Sequence, residues 1–550
     1  MRLNDKNSAA LLALLVVFSF LACLFFLFNS VLLQGVDAAY YLQGIESIQN
    51  TGFLPSGLLQ YPPVFLYAAA LFGIIFGTVE GIKIAAAFFF SLAAFSVFLL
   101  AKQLFKNNQA ALVAALFVAI SPASMRLLNG FWKTTTAVFF LPLFFYFFLR
   151  AGTDKKNRNK NLALALAMLL LVFLSHKYVT LLALLVLLAF VVFRLVFEKK
   201  PSADTKNFLF VSAIAAIVFL LAFLASSNGL QELLGLFGAI NALESASANA
   251  SLWQYFNLIV ITAFFGAMYC FFSAKREHLF LLSWFVAALF VALPLSSGSN
   301  YWRFSFLLAV PFALLSGLFF TELKKILGTF NAAIVLLAIV VLVLPQTFNA
   351  AIQIEPIYSE KELAELQQLK RFSSNSVVFA KGALLQWLQY YNANAVDAPN
   401  NFLLASMQYW TEGKKAFVAL DKQRAMLDYN PEQEKYFGYF ATALNTGRFL
   451  LLAPDKNLSI PAFDFSLPAV SATQPRFGNP VLWLFFPAEL FNILQLPFAS
   501  VLRALIGLPL SFALIALILL LLKKKQDSKN FKFAAFVIVA FLLFLIAMAK

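Results

Sequence analysis

Long apolar runs dominate this chain, among them Ala9–Phe28, Ala332–Leu344 and Leu508–Leu522. In a bilayer every backbone N–H and C=O must be satisfied within the structure, which only helices and closed barrels achieve, and a helix needs about 18 or more apolar residues to cross. The two-residue alternation of barrel strands is absent, so the runs read as membrane helices. Composition agrees: 62% of the 550 residues are hydrophobic and 12% are charged, with a mean hydropathy of +0.83. A soluble chain carries about 25% charged residues; one this apolar could not cover its own surface. The first run continues from Ala9 to about Leu33, past the roughly 7–15 residues of a cleavable leader's apolar core. It is therefore expected to remain as an anchor. The two cysteines, Cys23 and Cys270, both lie inside apolar runs and offer neither a disulfide framework nor metal-ligand spacing. With His176 and His278 as the only histidines, a His-rich metal site is excluded as well.

Spans are placed near 9–33, 84–101, 110–125, 134–149, 162–174, 178–193, 208–225, 254–273, 279–293, 304–321, 330–348, 503–522 and 533–549, about thirteen in all. Alternate connections then collect the basic residues. One side receives Arg2 and Lys6, Lys102 and Lys106, the cluster Arg150–Lys160, Lys324 and Lys325, and the cluster Lys523–Lys532; the short connections on the other side carry only Lys83, Arg126, Lys133, Lys177 and Arg303. Lys and Arg favour the cytoplasmic side, which sets the N-terminus inside. The net charge of +16 is thus an orientation signal, and nucleic acid is not expected as a partner. Residues 62–79 are apolar enough to cross, but a crossing there would invert every later connection. They are read as a helix in the outer interface, within a long first outer segment, 34–83. The segments 226–252 and 482–500 read as further interfacial helices.

The expected fold class is an α-helical polytopic membrane protein with a small extracytoplasmic α/β domain. Residues 1–349 form the transmembrane catalytic module, 350–480 the outer domain, and 481–550 an interfacial segment with the C-terminal spans. In the outer block a helix is expected at Ser359–Arg371, with Leu363, Leu366 and Leu369 on one face. Strands are expected at Ser376–Ala380, Ala416–Leu420 and Phe449–Ala453, and helices at Ala383–Tyr391 and Pro431–Leu444. No Gly-rich phosphate loop follows a strand, which excludes a nucleotide-driven pump of that type.

Directly after the first span the chain reads Gln34-Gly35-Val36-Asp37-Ala38-Ala39-Tyr40-Tyr41. A carboxylate at a rigid helix end beside the membrane can take a proton from an acceptor hydroxyl or hold a divalent cation. Taken alone, Asp37 reads first as a helix terminator in a solvated loop. Further on, Tyr61-Pro62-Pro63 fixes an extended entry into the interfacial helix, with Tyr61 and Tyr67 as interface residues.

These elements together resemble the opening of the GT-C-type membrane glycosyltransferases, which include the protein O-mannosyltransferases and the lipid A aminoarabinose transferases. The resemblance is carried by Asp37 with Tyr40-Tyr41, by Tyr61-Pro62-Pro63 with Tyr67, and by Phe76-Gly77 with Glu80 and Lys83. It continues through the span ends Leu100–Phe105 and Ile120-Ser121-Pro122, and through Tyr301-Trp302-Arg303-Phe304. It implies an inverting transferase with a polyprenyl-phosphate sugar donor and a lipid, glycan or protein acceptor. The site would face outside the cell membrane, with Asp37 as base or acceptor-orienting carboxylate. Many relatives carry an acidic pair where this chain has Asp37 followed by Ala38; a divalent metal ion, if used, would fall to Asp37, with Glu46 nine residues on as an unforced partner. Tyr40, Tyr41, Glu46 and Tyr61 are expected to line the acceptor cavity. A phosphate leaving group calls for cations. Those that escape the inner bias supply the candidates: Arg303 first, then His176 and Lys177, then Arg126 and Lys133, while Lys83 is assigned to closing the interfacial helix. The Trp-Trp-Asp type motif of asparagine-linked oligosaccharyltransferases is missing, which argues against that branch.

Two other classes compete. A transporter or lipid flippase with an outer binding domain would place charged groups or broken helices near the bilayer midplane, usually in repeated halves; the spans here hold almost no such groups. A non-catalytic scaffold would leave Asp37 and the outward cations without a purpose.

Overall fold

The computed structural model describes residues 5–54, 63–197, 211, 213, 214, 217, 257–273, 275–292, 306–372, 376–391, 393–397, 402–423 and 438–455. The expected spans near 503–522 and 533–549 and the segments 226–252 and 482–500 lie outside them. Of the span near 208–225, only residues 211, 213, 214 and 217 are described, all helical.

Apolar sequence becomes helix wherever no breaker intervenes. The chain runs through α1 (Asp5–Leu27), α2 (Ala38–Thr51), α3 (Val64–Phe76), α4 (Thr78–Phe105), α5 (Asn108–Ile120), α6 (Pro122–Arg126), α7 (Trp132–Thr153), α8 (Arg158–Ser175), α9 (Lys177–Phe197), α10 (Asn257–Ser273), α11 (Arg276–Val291) and α12 (Ala309–Ile352). Among the described residues six helical stretches are long and apolar enough to cross a membrane. The longest, Phe306–Ile352, breaks at Gly328, whose φ of 77° and ψ of 171° leave the helical region. That break falls in the gap between the expected spans 304–321 and 330–348. Faces turned outward are oily, as lipid contact requires: Leu14, Phe18 and Phe25 of α1 and Leu337 and Val341 of α12 are exposed.

Two expectations change here. The span placed at 110–125 divides at Ser121, which is extended (φ −66°, ψ 128°), into α5 and the short α6. Pro122 lacks an N–H and disfavours helical geometry in the residue before it. Lys83 does not close the interfacial helix. It lies inside α4, nearly fully buried, and its ammonium donates to the carbonyls of Ser30 and Val31, just past the end of α1. The helix before it, α3, has 13 residues, about 20 Å at 1.5 Å per residue and so short of a crossing. Gly77 (φ 96°) turns it back onto α4, and the contact is close: a Cβ on Gly81 would lie 2.4 Å from the Gly73 nitrogen.

Contacts sort the connections into two ends. At one end Lys102 pairs with Asp5 at 2.7 Å, Gln103 donates to Thr153 at 3.2 Å, and Lys324 donates to Gln109 at 2.5 Å. At the other, the 34–37 loop meets Gly130, and Thr347 of α12 donates to the Ile120 carbonyl.

Beyond α12 comes a small domain: α13 (Glu360–Leu369), β1 (Val377–Ala380), α14 (Gly382–Tyr390), β2 (Ala395–Asp397), α15 (Phe402–Thr411), β3 (Ala416–Asp421), β4 (Phe440–Asn445) and β5 (Phe449–Pro454). The sheet order is β2-β1-β3-β5-β4; β1 pairs parallel with β2 and β3, and β5 pairs antiparallel with β3 and β4. Alternate residues face opposite sides. Val378, Ala380, Ala419 and Leu451 join the core shared with α14 and the helical bundle, whereas Phe379, Val418 and Leu452 pack with Leu403 of α15. The helix expected at Pro431–Leu444 is corrected in its last part. Phe440–Leu444 belongs to β4, because backbone pairing with β5 outweighs a pattern that suits either state; Pro431–Phe437 lies outside the described residues.

Ser359 opens α13 with a capping box to Glu362, and Leu363, Leu366 and Leu369 are buried. Arg448 ties this helix to the sheet. It donates to both Asp421 oxygens at 3.0 and 3.1 Å and to Glu362 at 2.8 Å, and its guanidinium lies 4.8 Å from the Tyr358 ring. Burial alone would raise the Glu362 carboxyl, but the Arg448 and Ser359 hydrogen bonds bring it below its ordinary value of 4.5. The Arg448 backbone N–H, then Thr446, lower Glu365 likewise. A carboxylate depressed on folding adds stability above its unfolded value and loses it as pH falls through the folded one. Arg448→Gln is therefore expected to lower the melting temperature of the full chain at neutral pH. The gap from wild type should narrow on acidification below the ordinary glutamate range, and tryptophan-fluorescence melts in detergent across pH would show it. A gap independent of pH would argue against this role.

Candidate functional site

The chain leaves α1 and turns sharply to deliver Asp37. Gln34 donates back to the Leu27 carbonyl at 2.7 Å, and Gly35 adopts φ 88°. Gly35 meets Gly130 (φ 82°) backbone to backbone: a Cβ on Gly35 would lie 2.4 Å from the Gly130 Cα. No side chain fits there, so glycine at both positions lets the 34–37 and 127–131 loops touch. Tyr41 locks the contact. It is fully buried, its hydroxyl donates to the Gly130 carbonyl at 3.2 Å, and its ring packs on Trp132 and Phe65 at 4.7 and 5.3 Å. Burial, then the nearby Asp37 charge, pushes the Tyr41 hydroxyl well above its ordinary value, so it stays a donor. Tyr41 thus acts as an anchor. Tyr40, on the same turn of α2, lies with its ring 4.2 Å from the Lys133 ammonium, which is also 5.6 Å from the Tyr41 ring.

Asp37 occupies the N-cap position of α2 and is half-buried. Its side chain accepts from Gln386 Nε2 of α14 at 3.2 Å. One turn further along α14, Tyr390 donates to Glu46 at 2.9 Å. Burial and the Glu46 carboxylate push the Tyr390 hydroxyl above its ordinary range, which keeps the proton on tyrosine. Gln386 and Tyr390 escaped the sequence reading: they lie 349 and 344 residues from their partners, and no local pattern signals them.

The expected site residues thus fall into groups. Asp37, Tyr40, Tyr41 and Lys133 come together at one end of the bundle. Glu46 is on α2 as well, but its carboxylate turns to Tyr390. Arg126 ends α6, half-buried, at the start of the loop that reaches Gly130. His176 and Lys177 form the turn between α8 and α9; the His176 ring lies 5.5 Å from Tyr178, and the Lys177 ammonium is 5.5 Å from the same ring. Arg303 and Tyr61 lie outside the described residues. Among the described residues no three His, Cys, Asp or Glu side chains gather as a metal site. With Glu46 engaged elsewhere, Asp37 is the carboxylate that fits a hard, oxygen-seeking cation in this group.

A family model described as oligosaccharyl transferase STT3, N-terminal, matches residues 12–358. The chain belongs to the STT3 oligosaccharyl transferase family. It is a multi-pass membrane enzyme, a glycosyltransferase, as its opening motifs imply. The family is also the branch against which the missing Trp-Trp-Asp motif argued. The match ends at residue 358, before the small sheet domain that opens with α13. No curated protein matches the chain. Solved structures do. The Archaeoglobus fulgidus oligosaccharyltransferase in complex with Zn and sulfate aligns at 17% identity over 80% of this chain and 73% of that one, with a TM-score of 0.58. The archaeal oligosaccharyltransferase AglB from Archaeoglobus fulgidus, in complex with an inhibitory peptide and a dolichol-phosphate, aligns at 17% identity over 82% and 75%, with a TM-score of 0.56. ArnT from Cupriavidus metallidurans, bound to undecaprenyl phosphate, aligns at 12% identity over 83% of this chain and 100% of that one, with a TM-score of 0.50. At these identities the likeness is one of fold.

Proposed function

We propose that this chain moves a sugar from a polyprenyl-phosphate-linked donor to an acceptor at the extracytoplasmic face of the cell membrane, with inversion and with Asp37 as base. The carrying observation is the presentation of Asp37. Two glycine loops and a buried tyrosine hold it at the end of the bundle that lacks the Lys102, Lys106, Arg150 and Lys324 cluster, and a helix of the outer domain faces it. By the bias of Lys and Arg toward the cytoplasm, that end faces outward. Dolichol-phosphate and undecaprenyl phosphate in the similar structures support a lipid-phosphate donor, and the peptide in one of them favours a polypeptide acceptor. In this reading residues 1–349, where nearly all of the family match over 12–358 falls, form the catalytic module, and 350–480 is the outer domain beside it.

The chemistry balances on these groups. The acceptor heteroatom forms a bond to the anomeric carbon from the face opposite the phosphate. The bond from that carbon to the phosphate oxygen breaks, its electron pair leaves with the phosphate, and Asp37 takes the acceptor's proton. Cations must meet the growing phosphate charge. Lys133 is the one tied to the α2 turn that follows Asp37. Arg303, His176, Lys177 and Arg126 complete the proposed set. A divalent cation held through Asp37 would add positive charge at the phosphate or the acceptor. Lys133→Met and Arg303→Ala are each expected to raise the donor KM about tenfold, the order of one charge-assisted hydrogen bond. Kinetics with a radiolabelled polyprenyl-phosphate sugar would read it, and an unchanged donor KM would remove that residue from the phosphate site.

A further inference from the structure

We infer that Gln386 is a positioning residue that holds Asp37 in its reactive orientation, so that the outer α/β domain enters the chemistry through a single amide. The inference rests on Asp37 as base. An aspartate at a helix N-cap ordinarily accepts from the N–H groups of the first turn. Asp37 does not: α2 has no side-chain cap bond, although the Tyr41 N–H still reaches the Asp37 carbonyl at 3.0 Å. The carboxylate has turned away from its own helix toward Gln386 Nε2, 3.2 Å from Oδ1.

Gln386 in turn gives up its own satisfaction. Its Oε1 is buried and, among the described residues, has no hydrogen-bond partner, a state that folded chains normally avoid. Domain packing alone would favour an apolar residue or a fully bonded one here. The amide is oriented to serve Asp37. The docking that brings it there is separate: Tyr390, four residues on and on the same side of α14, bonds Glu46. With Oδ1 occupied and rotation stopped, Oδ2 is left to face the acceptor, and orientation of this kind carries much of an enzyme's rate.

The test uses the full chain in membranes of the source cells, which hold the native acceptor, supplied with a radiolabelled polyprenyl-phosphate sugar. Gln386→Glu keeps the shape but replaces the donor by an acceptor; Gln386→Met keeps the bulk without polarity. Both are expected to lower kcat about tenfold or more, the order of a lost hydrogen bond to a charged group, with the donor KM and the melting temperature held. Gln389→Glu is the control. Gln389 is exposed on the same helix and, among the described residues, bonds within its own domain, to the Ala395 carbonyl at 3.1 Å. It should leave kcat unchanged. In an Asp37→Asn background, Gln386→Glu should add no further loss. Wild-type kcat in both Gln386 variants, or an equal fall in Gln389→Glu, would overturn the positioning role while leaving Asp37 as base. Full activity in Asp37→Asn alone would instead overturn the reading beneath it.

Discussion

Asp37→Asn is expected to lower sugar transfer by about 10²–10⁴-fold, the usual worth of a general base, with donor KM and folding unchanged. The substitution is nearly isosteric and removes the negative charge, and with it the ability to take a proton or hold a cation. Its effects on stability should be small, because Asp37 makes no helix cap and is only half-buried. The Tyr41 anchor, the Gly35–Gly130 contact and the α14 docking at Glu46 do not depend on its charge. A fall in kcat alone would therefore report chemistry. A rise in donor KM instead would make Asp37 a binding group and move the base elsewhere. Full transfer would remove it from the site.

Gly35→Ala should be nearly as damaging for a different reason. The new methyl would lie 2.4 Å from the Gly130 Cα and 2.9 Å from the Asn129 carbonyl carbon, against backbone that cannot rotate away. The φ of 88° adds strain for any side chain, about 1–2 kcal/mol. The 34–37 loop must then lift from the 127–131 loop and carry Asp37 with it. A displacement near 1 Å can cost on the order of 100-fold in rate, and that is the expected loss. Gly52→Ala provides the comparison: it shares the left-handed backbone, at φ 79°, but among the described residues nothing lies within 4 Å of its added methyl. Strain without collision should leave turnover close to wild type. Equal losses in the two variants would mean that backbone strain, and not loop contact, is what matters.

Much of this architecture was legible before the structure. Apolar runs mark the helices because lipid tolerates little else, and the Lys and Arg bias separates the two ends of the bundle that the Asp5–Lys102 and Tyr41–Gly130 contacts define. The gap expected between 321 and 330 holds the Gly328 break. Ser121-Pro122 marks a span end in the sequence, and in the structure it splits the expected 110–125 helix there. Phe440–Leu444 read as helix because a short apolar run suits either state until a partner strand decides. The site was half legible. Asp37 stands out by its place after the first span and by resemblance. Lys133, on α7, is one cation among several in the sequence; in the structure its ammonium meets the Tyr40 ring on the α2 turn after Asp37. Gln386 sits in an ordinary amphipathic stretch, Gly382–Tyr390, and nothing around it betrays a partner 349 residues away. Lys83 shows the converse: a cation that broke the charge rule turns out to satisfy backbone carbonyls after α1.

The most direct test of the central claim follows the label of a radiolabelled polyprenyl-phosphate sugar presented to the purified full chain with a panel of peptide, lipid and glycan acceptors. The expected result is label on one acceptor class with stoichiometric release of polyprenyl phosphate, in wild type and not in Asp37→Asn. Label that stays on its lipid while crossing to the opposite leaflet of a vesicle would make the chain a flippase and contradict the account.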